Sequence, residues 1–157
     1  MAKATRATQM LERAGVAFTV HEYAYDPDAP SIGLQAAEAL GESPARVLKS
    51  LMARVDGKPV CVIVPSDREV AMKKLAAACG GKQAEMMKVP DAERLSGYKV
   101  GGISPFGQTR PPRAVIEQAA LAEPLVYING GRRGLQVRLD PNDALRVLGA
   151  VAAAVTG

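Results

Sequence analysis

The chain has 157 residues, 48% apolar and 23% charged, with 20 Lys and Arg against 16 Asp and Glu for a net charge of +4. That balance excludes a disordered or collagen-like chain, and the length suits one domain of ordinary size. Aromatic residues are 4% with no Trp, which argues against a broad base-stacking platform, and two Cys make no disulfide framework.

No stretch approaches the roughly 18 apolar residues of a membrane span. The amino-terminal run from Met1 to Met10 lacks the apolar core of a secretory signal. A reduced, cytoplasmic setting is therefore expected. In chain order, Ala7, Met10, Leu11 and Ala14 recur at helical spacing and predict a first helix over residues 5–14, with Gly15 as its stop. Residues 18–23 alternate as a strand. A second helix spans residues 32–40, opened by Ser31 and closed by Gly41. Ser43-Pro44 gives one turn before a strand over residues 47–55. Asp56-Gly57 is a hairpin signal, and the apolar run at 60–64 reads as a central strand buried on both faces.

Residues 73–79 read as a helix, while the spacing Ser66-x-x-Glu69 offers an earlier capping-box start. A short helix over 91–96 stops at Gly97, and residues 98–108 read as strand ends joined by an ordered loop. A second hairpin joins 125–129 to 135–139 through Gly130-Gly131, and Asp140-Pro141 opens a last helix running to about Ala154. Tight hairpins among helices give an α/β or α+β class with a mixed sheet, in one domain over residues 1–157.

Lys49 stands out chemically. It shares the odd-numbered face of its strand with Val47, Leu51, Ala53 and Val55, so it must be paired, snorkelled or aimed into a cleft. The glycine-rich run Gly101-Gly102-Ile103-Ser104-Pro105 can present successive backbone N–H groups to an oxygen, although a tight turn would look the same. Asn129-Gly130-Gly131-Arg132-Arg133 is first a hairpin turn, and its glycines also admit a ligand. His21 is the sole histidine and reads as structural, so no metal or other cofactor is expected. Cys61 and Cys79 read as small buried hydrophobes, and Met72, Met86 and Met87 as core filler. No Gly-x-Ser-x-Gly, His-Glu-x-x-His or Cys-x-x-Cys occurs. Catalysis, if present, rests on electrostatics, positioning or the substrate itself.

Three motifs in order, Val47-Leu48-Lys49-Ser50-Leu51, Gly97-Tyr98-Lys99-Val100-Gly101-Gly102-Ile103-Ser104-Pro105 and Gly130-Gly131-Arg132-Arg133-Gly134-Leu135, resemble the YbaK/EbsC-type aminoacyl-tRNA deacylases, free-standing relatives of the prolyl-tRNA synthetase editing domain. The likeness extends to the strand at Phe18 to Tyr23 and to the proline-started last helix. It implies a mixed, barrel-like sheet flanked by helices. It also implies trans-editing: removal of cysteine from Cys-tRNA(Pro), or from Cys-tRNA(Cys), by attack of the substrate's own thiol on its ester. Lys49 matches the lysine required for activity, with backbone N–H groups at Gly101 and Gly102 facing the oxyanion. Tyr23, Ile103, Ser104, Pro105, Asn129, Gly130, Gly131 and Gln136 would contact substrate. Asn129 and Gln136 stand where many relatives carry Ser or Thr and Asp. The implied partners are the acceptor end of a misacylated tRNA and prolyl-tRNA synthetase, with neither DNA nor membrane. Two alternatives stay open: another small misacylated residue such as alanine, attacked by water, and a module that binds tRNA or a synthetase without turnover. Between Gly107 and Arg138 lie Arg110, Arg113, Arg132, Arg133 and Arg138 against Glu117 and Glu123. That excess could guide an acceptor end, with Arg110, Arg113, Arg132 and Arg133 as the contact candidates.

Overall fold

The computed structural model describes residues 4–157; Met1, Ala2 and Lys3 of the amino-terminal run lie outside that range. Helix α1 (Arg6–Arg13) opens with a reciprocal cap. The Thr8 amide donates to the Thr5 hydroxyl at 3.1 Å and the Thr5 amide to the Thr8 hydroxyl at 2.8 Å. Ala7 and Leu11, one turn apart, are fully buried. Strand β1 (Phe18–Glu22) follows, then α2 (Ile32–Leu40), capped by Ser31 and stopped by left-handed Gly41.

Strands β2 (Leu48–Val55) and β3 (Lys58–Pro65) form the expected hairpin. Asp56 and Gly57 both take positive φ, which gives the tight turn its twist. Both faces of β2 are covered, not just the odd one. Leu48 and Met52 enter a core shared with Leu11, Cys61, Ile63, Phe106, Ile128 and Val137, whereas Ala53 and Val55 join Val60, Val62, Leu75 and Val115. Burial pushes the Cys61 thiol up to about 12, in keeping with an inert hydrophobe.

Helix α3 (Met72–Ala78) starts at Ala71 with no side-chain cap. The Ser66/Glu69 capping box does not form, because the Ser66 hydroxyl donates to the Val47 carbonyl instead. Strand β4 (Ala84–Met86) and helix α4 (Val89–Ser96) lead into an ordered loop at 97–112. Strand β5 (Arg113–Glu117) and a 3-10 turn (Gln118–Ala122) precede the hairpin β6 (Val126–Asn129) and β7 (Leu135–Leu139). Helix α5 (Pro141–Leu148) ends at left-handed Gly149, short of Ala154. Val151–Ala153 instead forms β8, parallel to β5. The alanines favour helix, but strand pairing satisfies the backbone and buries Val155 completely.

The class is α+β, with five α-helices and two sheets among the described residues. One sheet is antiparallel in the order β1-β7-β6; the other is mixed, in the order β4-β2-β3-β5-β8. The sheets meet at a single parallel bridge, Val47 with Tyr127, backed by the Tyr127 amide donating to the Arg46 carbonyl at 2.7 Å. They do not close into a barrel. Closure needs continuous edge pairing, and the edges β4 and β8 are three residues each. No helix of the described residues is long and apolar enough to cross a membrane.

Candidate functional site

Where the two sheets meet, a cleft of about 450 Å³ opens between the start of β2, the start of α2, the β4–α4 segment and the glycine loop. Its walls are largely apolar, including Ile32, Leu51, Met52, Val89 and Ile103. Its polar side chains are Tyr23, Ser31, Lys49, Ser50, Asn129 and Gln136. Among the described residues, Lys49 is the one charged residue of the lining, and no His, Cys, Asp or Glu lines it. The Lys49 side chain is 20% exposed, and its Nζ lies 3.6 Å from Oε1 of Glu69, a carboxylate 90% exposed. Such a partner is well hydrated and holds the ammonium only weakly. The Lys49 stem runs past Gly33, where a Cβ would lie 3.6 Å from its Cδ.

The glycine loop is pinned from four sides. The Tyr98 hydroxyl donates to the Phe106 carbonyl at 2.6 Å, and Gln108 Nε2 donates to the Ser104 carbonyl at 2.9 Å. Asn129 Nδ2 donates to the Gly101 carbonyl at 3.1 Å, and Arg133 Nε donates to the Val100 carbonyl at 2.9 Å. Gly101 needs its glycine: φ is +90°, and a Cβ would lie 2.5 Å from the Tyr25 hydroxyl. Gly102 packs on the β6–β7 turn, where a Cβ would be 2.8 Å from the Arg133 nitrogen.

The predicted residues divide. Tyr23, Lys49, Gly101, Ile103, Asn129 and Gln136 come together in the cleft lining; Gly102, Ser104, Pro105, Gly130 and Gly131 do not line it. The Gly102 amide donates to the Lys99 carbonyl at 2.8 Å, so this N–H is already used and cannot meet an oxyanion. The Gly101 and Ile103 amides have no partner among the described residues. Ser104 and Pro105 are interior, with the Ser104 hydroxyl accepting from the Phe106 amide. Gly130 forms the hairpin turn and its carbonyl accepts from the Thr5 hydroxyl, while Gly131 donates to Asn129 Oδ1.

The arginines do not make one patch. Arg132 pairs with Glu22 at 2.9 Å, and Arg113 donates to the Cys79 carbonyl beside Val60, toward the end of the hairpin away from Lys49. Arg110 is exposed in the loop before β5, and Arg138 lies over the Tyr127 ring. Among the four contact candidates, Arg133 bonds a residue of the cleft wall through its side chain, with its guanidinium 5.3 Å from the Tyr25 ring centroid, whereas Arg132 meets Asn129 only through its backbone. A stretch rich in arginine along the chain is thus dispersed, because strands carry its members to different ends of two sheets.

Sequence reasoning missed Ser31, Gly33 and Ser50 as cleft residues, although Ser50 adjoins Lys49 and both others lie at a recognised helix start. Met87 is core, as read, but Met86 is 42% exposed on β4, and both line the cleft. His21 packs edge-on against Tyr127 at 5.2 Å and meets the Thr19 hydroxyl at 2.8 Å. Burial and the charge of Arg138 lower its pKa, which favours the neutral ring. Burial pushes the Tyr23 phenol up, outweighing a hydrogen bond with Gln136.

The family model for the aminoacyl-tRNA editing domain matches residues 26–147. Over 154 residues the chain is 32% identical to the candidate Cys-tRNA(Pro)/Cys-tRNA(Cys) deacylase EbsC of Enterococcus faecalis, covering 97% of this chain and 93% of that protein. It is also 32% identical over 107 residues to the proline–tRNA ligase of Maridesulfovibrio salexigens, spanning 18% of that longer enzyme. In fold it matches the crystal structure of a candidate trans-editing enzyme for prolyl-tRNA synthetase, with a TM-score of 0.83 at 24% identity over 97% of this chain and 95% of that one. The chain belongs to the aminoacyl-tRNA editing domain family. Its enzyme class is that of an aminoacyl-tRNA deacylase.

Proposed function

We propose that the chain is a trans-editing deacylase that clears cysteine from Cys-tRNA(Pro), with residues 1–157 acting as one editing domain in the cytoplasm beside prolyl-tRNA synthetase. The observation carrying this reading is a cleft that, among the described residues, holds one cation, Lys49, and no protein nucleophile paired with a base. Its volume suits an aminoacyl group and the ribose that bears it. Editing of this kind is needed where a pocket cannot reject a similar-sized amino acid by binding alone. The name of the relative that covers nearly the whole chain supports the same substrate.

In this reading Lys49 holds the aminoacyl end and favours the substrate thiolate. The cysteine sulfur attacks its own ester carbonyl, forming the S–C bond of a thiolactone. As the C–O bond to the ribose breaks, the thiol's proton passes to the departing 3′ oxygen. The free amides of Gly101 and Ile103 stabilise the oxyanion in place of the committed amide of Gly102. Tyr23 and Ile103 close the pocket around the side chain, and Arg133 meets the tRNA backbone at the rim.

Purified protein offered Cys-, Ala-, Ser- and Pro-charged tRNA(Pro) tests this directly. Cysteine release should dominate, and Lys49→Ala should slow it by about 100-fold or more. Equal rates in the two proteins would remove Lys49 from the mechanism. Release of alanine but not cysteine would replace substrate-thiol attack with attack by water.

A further inference from the structure

Two polar atoms buried in residues of the cleft wall have no hydrogen-bond partner among the described residues, Ser50 Oγ and Gln136 Oε1. Gln136 is the more constrained. The residue is 4% exposed, and β7 holds it in register between His21 of β1 and Asn129 of β6. Its neighbour Asn129 has nothing left to offer: Nδ2 is given to the Gly101 and Arg132 carbonyls and Oδ1 to the Gly131 and Arg132 amides. A buried carbonyl oxygen with no donor costs stability, and such an atom on a cleft wall calls for a ligand that supplies the donor.

An aminoacyl ester carries that donor on its α-carbon, the α-amino group, next to the carbonyl that reacts. Among the described residues no Asp or Glu of the lining competes for it, so neutral acceptors receive it. Resting on the deacylase reading above, we propose that Gln136 Oε1, with Ser50 Oγ as a second acceptor, receives the α-amino group of the bound ester. The cleft thereby selects aminoacyl esters over plain acyl esters. An N-acylated ester, which loses N–H groups and gains bulk at that point, is rejected.

The test uses tRNA(Pro) ending in 3′-amino-3′-deoxyadenosine, amide-linked either to cysteine or to 3-mercaptopropionate. The two probes differ only in the α-amino group, and neither can be deacylated readily. Wild type should bind the cysteinyl probe about tenfold more tightly. Gln136→Leu should bring the ratio near one, and Gln136→Glu, which keeps an acceptor there, should restore it. Gln136→Met serves if the leucine variant fails to fold by circular dichroism. A ratio that survives Gln136→Leu, or wild type that does not discriminate, overturns the inference. Deacylation of Cys-tRNA(Pro) is followed on the same preparations. Turnover without discrimination sinks the α-amino assignment alone, whereas no turnover and no binding of either probe sinks the proposed function with it.

Discussion

Glu117 and Gln136 are equally buried, at 4% exposed each, yet their surroundings are opposite. Every need of Glu117 is met within the protein. Oε1 accepts from the Val155 amide at 2.9 Å, the Thr156 amide at 3.1 Å and the Thr156 hydroxyl at 3.0 Å, and Oε2 accepts from the Ala119 amide at 2.8 Å. These bonds tie the C-terminal segment to the end of β5. Gln136 keeps an acceptor empty on the wall of a cleft. A buried polar group whose partners are all internal holds the fold together; one left short beside a cavity is available to a ligand.

Substitutions at the two regions should therefore separate stability from activity. Lys49→Ala is expected to have the largest effect, a loss of about 100-fold or more in deacylation with a change in unfolding free energy within about 0.5 kcal/mol. Glu117→Ala should do the reverse. It leaves three backbone amides and a hydroxyl without their acceptor and should cost about 3 kcal/mol in urea unfolding. Activity per folded molecule should stay unchanged. If Glu117→Ala reduced turnover at full folding, the clasp and the cleft would be one unit and the contrast would fail.

The pH dependence of the clasp sharpens the same contrast. Burial raises the Glu117 pKa, but the hydrogen bonds from Ala119, Val155 and Thr156 outweigh it and hold the carboxyl below the ordinary glutamate value. Its contribution is thus present above the unfolded value of about 4.3 and lost as pH falls through the lower folded value. Melting curves of wild type and Glu117→Gln should converge as pH drops through that window. Constant separation down to pH of about 2 would contradict it.

Gly102→Ala should act on both properties, since its Cβ would press on the Arg132 and Arg133 backbone at 2.9 and 2.8 Å. A cost of about 1–3 kcal/mol and a fall in deacylation are expected, read by unfolding and turnover on one preparation. The smallest effect is at the rim. Arg133→Ala should weaken tRNA binding a few-fold and flatten its salt dependence, whereas Arg113→Ala, held at Cys79, should leave both unchanged. Equal losses in a salt-titrated filter-binding assay would revive a broad arginine patch.

Local patterns in the chain carried much of this. Ser31 and Gly41 bracket a helix, Asp56-Gly57 turns a hairpin, and Asp140-Pro141 opens the last helix, each because a few neighbouring residues set the backbone. Lys49 was conspicuous because a charge interrupts an apolar face. Other features were beyond local reach. β4 and β8 are three-residue strands whose identity comes from the partner they pair with, and a run of alanines gave the wrong helix end past Gly149.

The sequence by itself determined a globular composition, most helix caps and hairpin turns, and the ordered motifs that mark the editing family, since these depend on residue type and short spacing. Only the tertiary structure decided that the sheets stay open, that the arginines scatter, that the Gly102 amide is committed, and that Gln136 faces the cleft with an oxygen unfilled. Those outcomes turn on which distant groups a donor or acceptor meets, and hydrogen bonding across segments far apart in the chain leaves no periodic trace within any one of them.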